Sequence, residues 1–233
     1  MPGGYTGKSC FVDLTSGEIR TEKLTDTEAR NYIGGHGLGA RTLFERQPKG
    51  VDPLGPENIL GFTTGPLTGT KTPTGGRYMV VCKSPLTGGW GDANSGGYFG
   101  SELKAAGLDA VYVSGKSAKP AYLLIQNGKL ELRDASHLWG QDTIATEAAL
   151  RSETAEKRLR VACIGPASER LSLISGISND GGRFAARSGV GAVMGSKQLK
   201  AVAVRGSDRV VVANADRLDS LRKKFIHEIK EVP

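Results

Sequence analysis

Three glycine-rich segments, at 65–77, 83–100 and 179–191, contain the residues that could do chemistry in this chain. Each combines Ser or Thr hydroxyls with an Asn or an Arg, and the last two lead into predicted helix N-termini. Main-chain amides, the positive end of a helix dipole and a guanidinium group together suit a phosphate or a polar heterocycle. Arg77 and Arg183 each follow a Gly-Gly pair, and this recurrence favours ligand binding over loops that only turn corners.

More familiar catalytic and phosphate-binding motifs are absent from the sequence. Segment 191–197 has its glycines four apart and Ser before Lys, whereas a P-loop requires Gly-x4-Gly-Lys-Ser/Thr. Segment 35–40 fits the loose GxGxxA pattern, but it follows a predicted helix rather than a strand, which argues against a dinucleotide fold. The sequence has no HExxH, GxSxG or paired Cys/His cluster, so we predict no catalytic residue.

The composition excludes several classes of protein. Glycine accounts for 33 of 233 residues, about twice its usual share, yet 38% of residues are apolar, which predicts a packed core rather than disorder. The net charge is +7, but no Lys/Arg run exceeds the triplet at 222–224. Such dispersed charge is more typical of an ordinary surface than of a nucleic-acid footprint, so we expect no nucleic-acid partner.

The three cysteines, Cys10, Cys82 and Cys163, lie far apart and form no CxxC pair. They indicate reduced, mostly buried thiols in a cytoplasmic protein. The N-terminus has no charged region followed by an apolar stretch, and the longest apolar runs have four to five residues. We therefore expect neither a secretory signal nor a membrane segment. The three scattered histidines predict hydrogen bonding rather than metal binding.

Short β-rich runs separated by Gly and Pro turns dominate the chain, with a few helices among them. A hairpin is predicted around Ser16-Gly17, and Thr25 or Asp26 is predicted to cap a helix that ends near Tyr32. Asp142 is predicted to cap a second helix, which runs to about residue 152. The other predicted strands lie at 78–82, 110–113, 122–125, 160–164 and 201–204.

The two halves of the chain have the same order of parts. Each has a strand, a Gly-Pro pair, a second strand (at 171–174 in the second half), an Asn-x-Gly-Gly segment at Asn94 or Asn179, a helix and an Ala-Val strand. The predicted helices lie near 101–106 and 190–198. These turns could also match by chance. A true repeat would have pseudo-twofold symmetry and two similar backbone sites, suited to a ligand with two similar halves.

These segments resemble the N-terminal domain of the tungsten-containing aldehyde:ferredoxin oxidoreductases. The resemblance extends from about Gly4 to Gly206 and is carried by 65–69, 73–78, 83–88, 93–100, 133–140 and 189–197. It implies an α+β fold in which two β-sheets, related by a pseudo-twofold axis, form a saddle with a few peripheral helices. The saddle would hold a tungsten bis-pterin whose dithiolenes bind the metal, so that the protein need supply no tungsten ligand.

The resemblance also implies which residues bind the cofactor. Arg77, Asn94 and Gly96 match positions that contact one pterin, and Arg183 with Phe184 matches positions near the other. A Mg²⁺ that joins the pterin phosphates would be held by the main-chain carbonyls of Asn94 and Phe184, although family members often have a small residue at the position of Phe184. The full set of expected binding residues is Arg77, Asn94, Ser95, Gly96, Gly97, Arg183, Phe184 and Arg187.

The family oxidises an aldehyde to a carboxylate and passes two electrons through a [4Fe–4S] cluster to ferredoxin. The cluster and the acid–base residues belong to later domains, so we expect residues 1–210 to be the cofactor-binding domain, inactive alone. Residues 211–233, with an apolar stripe on a helix capped by Asn214, would begin the next domain. Expected partners are the rest of the oxidoreductase, ferredoxin or an iron–sulfur subunit, and a second copy. The alternative is a non-catalytic module of the same fold that binds phosphate or nucleic acid or serves assembly.

Overall fold

The computed structural model describes residues 3–73 and 75–231 and contains two six-stranded sheets. The first sheet comprises β1 (Lys8–Asp13), β2 (Ile19–Lys23), β3 (Leu60–Thr64), β4 (Tyr78–Lys83), β5 (Trp90–Ser95) and β6 (Ala110–Ser114). The second comprises β7 (Ala121–Gln126), β8 (Lys129–Asp134), β9 (Arg160–Cys163), β10 (Ile177–Asn179), β11 (Arg183–Ala185) and β12 (Leu199–Arg205). The helices are α1 (Asp26–Tyr32), α2 (His36–Arg46), α3 (Phe99–Ala105), α4 (Thr143–Glu153), α5 (Pro166–Glu169), α6 (Val190–Ser196) and α7 (Ala215–Glu231).

The two sheets have the same topology. The strand order is β2-β1-β6-β3-β4-β5 in the first sheet and β8-β7-β12-β9-β10-β11 in the second. The sixth strand of each half lies parallel to its first strand, and every other neighbour is antiparallel. Each half is therefore one copy of a six-stranded unit, which confirms the α+β fold with two repeated sheets.

A shared apolar core joins the two sheets. Val80 of β4 and Leu123 of β7 belong to the same buried cluster, together with Leu103 of α3 and Val193 of α6. Helix α3 packs against β9 and β12 of the second sheet, whereas α6 packs against β3 and β4 of the first. These two helices thus lie within the core and connect the halves. Helices α2 and α4 instead cover outer faces of the first and second sheet.

Several predicted caps are present at the helix starts. The Thr25 hydroxyl accepts from the Glu28 amide at 3.2 Å, and Glu28 accepts from the Thr25 amide at 2.6 Å, which completes a capping box on α1. Asp142 accepts from the Ala145 amide at 2.8 Å at the start of α4. Asn214 does the same for Arg217 on α7. These polar side chains fix where the helices begin.

The predicted strand at 171–174 is wrong, because these residues form turns. Pro166 begins the short helix α5, and the chain then folds back so that the Ser172 amide donates to the Ala167 carbonyl at 2.9 Å. Leu171 has a φ of 60°, which no strand residue adopts. The strand that follows the Gly-Pro pair is β10, which begins at Ile177.

The matching of the two Asn-x-Gly-Gly segments is also wrong, although the repeat itself is real. Asn94 lies in the fifth strand of its half, and Gly96-Gly97 leads into α3. Asn179 instead ends the fourth strand of the second half, and Gly181-Gly182 turns between β10 and β11. The part of the second half that corresponds to Gly96-Gly97 is the loop 186–189 between β11 and α6.

Helix α7 presents apolar side chains to solvent. Leu221 is 55% exposed, Phe225 is 45% exposed and Ile229 is 53% exposed, and the helix has no buried residue. The stripe predicted from the sequence is therefore present and uncovered. No helix among the described residues is both long enough and apolar enough to cross a membrane.

Candidate functional site

The two halves of the chain meet at the edges of their sheets. Strand β5 is an edge strand of the first sheet, and β11 is an edge strand of the second. Beyond β11, Ser188 bonds to β5: its hydroxyl accepts from the Asp92 amide at 3.2 Å and donates to the Asp92 carbonyl at 3.0 Å. Because each edge strand has a sheet neighbour on one side only, part of its backbone is available to a ligand.

Two arginines, one from each half, converge on the same stretch of bare backbone at this junction. Arg77 donates to the side-chain oxygen of Asn94. A Cβ atom placed on Gly96 would lie 3.7 Å from Nη1 of Arg183 and 3.9 Å from Nε of Arg77. Gly96 therefore leaves a space between two guanidinium groups that any side chain would begin to fill. We call Arg77, Asn94, Gly96 and Arg183 the edge site.

The edge site carries the positive charge of its two arginines. Within residues 3–73 and 75–231, neither Arg77 nor Arg183 forms an ion pair with a carboxylate. The acidic residue nearest in sequence to Arg183 is Asp180, which pairs with Arg160 at 3.3 Å. The two guanidinium groups therefore have donors to spare for an anionic or strongly polar ligand.

The other expected binding residues surround the edge site in different ways. Phe184 is 48% exposed on β11, and Arg187 is exposed in the loop that follows. Ser95 is buried, and its hydroxyl donates at 2.7 Å to Asn179, so its side chain points away from solvent. Gly97 has a φ of 90°, which favours glycine. The structure thus brings Arg77 and Arg183, which are far apart in the chain, to one junction.

Sequence reasoning missed the contribution of α2 to this region. A cavity of about 220 Å³ lies beside Arg77 and Asn94, and Gly35 and His36 at the start of α2 form another part of its wall. The Nδ1 atom of His36 lies 3.3 Å from the Asp92 carboxylate. The Gly34-Gly35 pair predicted the end of α1, but nothing in the sequence indicated that the next helix would face the same site.

Metal ligands of the usual kinds do not cluster in this chain. In the part that the structure describes, no group of three His, Cys, Asp or Glu side chains could hold a metal ion. All three cysteines are free and buried, and burial raises the pKa of Cys82 and of Cys163 to about 12. These thiols therefore stay protonated and do not act as nucleophiles.

A family model described as aldehyde ferredoxin oxidoreductase, N-terminal domain, matches residues 9–206. The chain belongs to this family. Tungsten-containing aldehyde ferredoxin oxidoreductases from Thermococcus kodakarensis and Pyrococcus abyssi are 49% and 48% identical to it over 230 residues. These matches cover 99% of the chain and 38% of each relative. The chain thus spans less than two fifths of the length of these relatives.

Other members of the family have different substrates in their names. The WOR-like subunit of an aliphatic sulfonate oxidoreductase from Pyrococcus furiosus is 35% identical and aligns with 97% of the chain and 38% of its own length. Among solved structures, the active-site complex BamBC of benzoyl coenzyme A reductase has a TM-score of 0.96 and 39% identity. That match covers 99% of this chain and 35% of the other. It places the two-sheet fold in this family, and the names of these two relatives refer to an aliphatic sulfonate and to benzoyl coenzyme A rather than to an aldehyde.

Proposed function

We propose that this chain is the domain that binds a tungsten bis-pterin in an oxidoreductase that converts an aldehyde and water to a carboxylate. The observation that carries the proposal is the edge site, where Arg77 and Arg183 from two copies of one fold meet over Gly96. Such a junction suits a ligand made of two similar halves. Family membership supports a tungsten pterin as that ligand.

The residues at the junction fit this cofactor in their chemistry. Arg77 and Arg183 would donate charge-assisted hydrogen bonds to phosphate and polar pterin edges. The amides of Gly96 and Gly97 would approach the ligand closely because no side chain intervenes. Asn94 would offer its side-chain amide, and Arg187 a further guanidinium group near the second pterin. Ser95 would contribute through its main chain, since its hydroxyl is engaged with Asn179.

A Mg²⁺ between the pterin phosphates would complete the site. Main-chain carbonyls of Asn94 and Phe184 are suitable ligands, because Mg²⁺ prefers oxygen donors and both residues lie on edge strands. When bound, the tungsten pterin would supply the redox chemistry for aldehyde oxidation, and a [4Fe–4S] cluster in the later domains would carry the electrons to ferredoxin. This chain's own part is to bind and orient that group, and we assign it no catalytic residue.

An aldehyde is the substrate class that the relatives favour. The four aldehyde oxidoreductases are 46–49% identical to this chain, whereas the sulfonate and benzoyl coenzyme A enzymes are 35% and 39% identical. All of these relatives are named as oxidoreductases or reductases, which disfavours a non-catalytic phosphate- or nucleic-acid-binding module. The remaining domains of the oxidoreductase would provide the iron–sulfur cluster and the acid–base groups.

The chain would meet those remaining domains partly through α7. We propose that residues 1–210 form the cofactor-binding domain and that 211–233 begin the next one, whose surface would cover the exposed stripe of Leu221, Phe225 and Ile229. Ferredoxin or an iron–sulfur subunit and a second copy of the protein are the proposed further partners. The three free thiols support a reducing, cytoplasmic compartment.

Metal and pterin analysis of the whole protein tests the proposal. The full-length oxidoreductase that carries this chain should be produced with tungstate, and its tungsten, molybdenum and pterin contents measured per polypeptide. We expect one tungsten and two pterins, and aldehyde-dependent reduction of ferredoxin. A protein that holds neither tungsten nor molybdenum would refute the proposed function.

A further inference from the structure

The buried side-chain amide of Asn179, in the second half of the chain, holds in place the edge-site residues that belong to the first half. Asn179 is fully buried at the end of β10. Its Oδ1 accepts from the Tyr78 hydroxyl at 3.0 Å and from the Ser95 hydroxyl at 2.7 Å. Its Nδ2 donates to the Gly96 carbonyl at 2.9 Å and to the Asp180 carboxylate at 2.8 Å. The amide group thus uses both acceptor positions and both donors.

The partners of Asn179 lie next to the ligand-facing residues. Tyr78 follows Arg77 in the chain, and Ser95 lies between Asn94 and Gly96. The Asn179 side chain therefore holds the backbone in two places, next to Arg77 and between Asn94 and Gly96. The orientation of the amide is determined by its surroundings, because a flipped amide would place its oxygen against the Gly96 carbonyl and the Asp180 carboxylate.

Asp180 extends the same contact to the start of α3. Its Oδ2 accepts from the Tyr98 amide at 2.7 Å and from the Phe99 amide at 3.3 Å. Its Oδ1 lies 3.3 Å from Nη1 of Arg160, whose guanidinium group stacks 4.5 Å from the centre of the Tyr98 ring. A residue of the second half therefore caps a helix of the first half. Gly97 lies between Gly96, which Asn179 contacts, and Tyr98, which Asp180 contacts.

Asn179 is itself held in place by its neighbours in the second half. Asn179 pairs with Ala162 of β9 and with Arg183 of β11, and the amide of Gly181, two residues later, donates to the buried Glu147 carboxylate at 3.0 Å. Burial raises the pKa of the Tyr78 hydroxyl far above its ordinary value, so this group remains a hydrogen-bond donor at any physiological pH.

We propose that Asn179 and Asp180 are positioning residues that set the loop Ser95–Phe99 at the correct distance from Arg183 for a two-part ligand. Arg183 pairs directly with Asn179 across the β10–β11 ladder, so the same residue that presents Arg183 also holds the Gly96 carbonyl. The spacing between the two sides of the edge site is thereby fixed before any ligand arrives. This inference rests on the proposed function, since it concerns the same cofactor.

The test uses the full-length protein and an Asn179→Ala variant, with Asn58→Ala as the matched control. Asn58 is also fully buried, and its side-chain amide donates to the carbonyls of Pro53 and Lys83, yet Lys83 lies at the far end of β4 from Arg77. Tungsten content at limiting tungstate, the W(V) electron paramagnetic resonance spectrum and the thermal unfolding of tungstate-free protein are measured. We expect roughly three- to tenfold less tungsten and a shifted spectrum in Asn179→Ala, the effect of one or two lost hydrogen bonds.

The control should lose comparable stability but keep its tungsten and its spectrum. If Asn179→Ala fails to fold, Tyr78→Phe decides, with Tyr112→Phe as its control, because Tyr112 is a buried tyrosine whose hydroxyl donates to the Leu38 carbonyl rather than to Asn179. Asp180→Asn, which keeps an acceptor for the Tyr98 amide, should retain more tungsten than Asp180→Ala.

Two results would overturn the inference while leaving the proposed function intact. One is a wild-type tungsten content and spectrum in Asn179→Ala, or in Tyr78→Phe where that variant decides. The other is an equal loss of tungsten in the matched controls, which would make the effect one of stability alone. A wild-type protein without tungsten or molybdenum would instead remove the proposed function, and this inference with it.

Discussion

The adjacent glycines Gly96 and Gly97 should respond in opposite ways when each is replaced by alanine. Gly96 has a φ outside the left-handed region, and a methyl group on it would meet only the guanidinium nitrogens, at 3.7 and 3.9 Å. Those are ordinary contact distances. Because alanine also reduces the entropy of the unfolded chain, Gly96→Ala should leave the free energy of unfolding unchanged or raise it by up to about 1 kcal/mol.

Gly97→Ala should destabilise the protein. The φ of Gly97 is 90°, and a methyl group there would lie 2.9 Å from Nδ2 of Asn179 and against the Asp180 carboxylate. The backbone conformation alone costs an alanine about 1–2 kcal/mol, and relieving the contact with Asn179 adds to that cost. We therefore expect a loss of at least about 2 kcal/mol in the free energy of unfolding.

Gly96→Ala, although we expect it to be stable, should bind the cofactor more weakly than wild type does. In Gly96→Ala the new methyl group lies between Arg77 and Arg183, where the ligand would approach the backbone. Overfilling a tight contact costs about 1–3 kcal/mol, which corresponds to roughly 5- to 150-fold weaker binding. The assay is denaturant unfolding of tungstate-free full-length protein, followed by tungsten analysis after growth at limiting tungstate. A Gly96→Ala protein that is stable and fully loaded with tungsten would refute the view that bare backbone at this position serves the ligand.

Three further predictions concern charge and capping. Arg77→Ala and Arg183→Ala should each lower the tungsten content measured by elemental analysis, because a lost charge-assisted hydrogen bond costs about 1.5–3 kcal/mol. The exposed control Arg30→Ala should show no such loss. An equal loss in that control would contradict the cofactor-binding role of Arg77 and Arg183. Thr25→Ala removes a capping box and should lower the free energy of unfolding in urea by about 1 kcal/mol, whereas an unchanged midpoint would show that the cap contributes nothing. Burial lowers the pKa of Lys197 from 10.5 to about 8. Between these two pH values the unfolded state therefore binds more protons than the folded state, so the free energy of unfolding of wild type relative to that of Lys197→Met should rise with pH. A difference that stays flat or falls would show that burial does not lower this pKa.

Local sequence patterns predicted the elements whose formation depends on local physics. The apolar run at 122–125 became β7, and the polar residues Thr25 and Asp142 capped α1 and α4 as expected. Helix α2 was not predicted, because it begins at Gly35 without a capping side chain and carries further glycines. Gly39 is required there by packing, since a Cβ atom would lie 2.9 Å from Val81 of the first sheet. Such a requirement cannot be read from the helix sequence alone.

The candidate site could be predicted as a list of residues but not as an arrangement. Arg77, Asn94 and Arg183 were identifiable from glycine-rich segments and from the family resemblance. The role of Asn179 was not, because its hydrogen bonds reach partners 84 and 101 residues away. In the sequence, Asn-Asp-Gly-Gly is typical of a turn, and a turn is indeed what Gly181-Gly182 form. The long-range contacts of the first two residues became visible only with the fold.

The repeat preserves its strand order while the proposed site departs from symmetry. Arg77 precedes the fourth strand of its half, whereas Arg183 begins the fifth strand of the other half. The loop that corresponds to Gly96-Gly97 in the second half contains Ala186 and Arg187 instead. The two sides of a two-part ligand would therefore meet different groups, with bare backbone on one side and a guanidinium on the other. Because the contacts differ, Arg77→Ala and Arg183→Ala should reduce cofactor binding by unequal amounts, and the cofactor should bind in one orientation only.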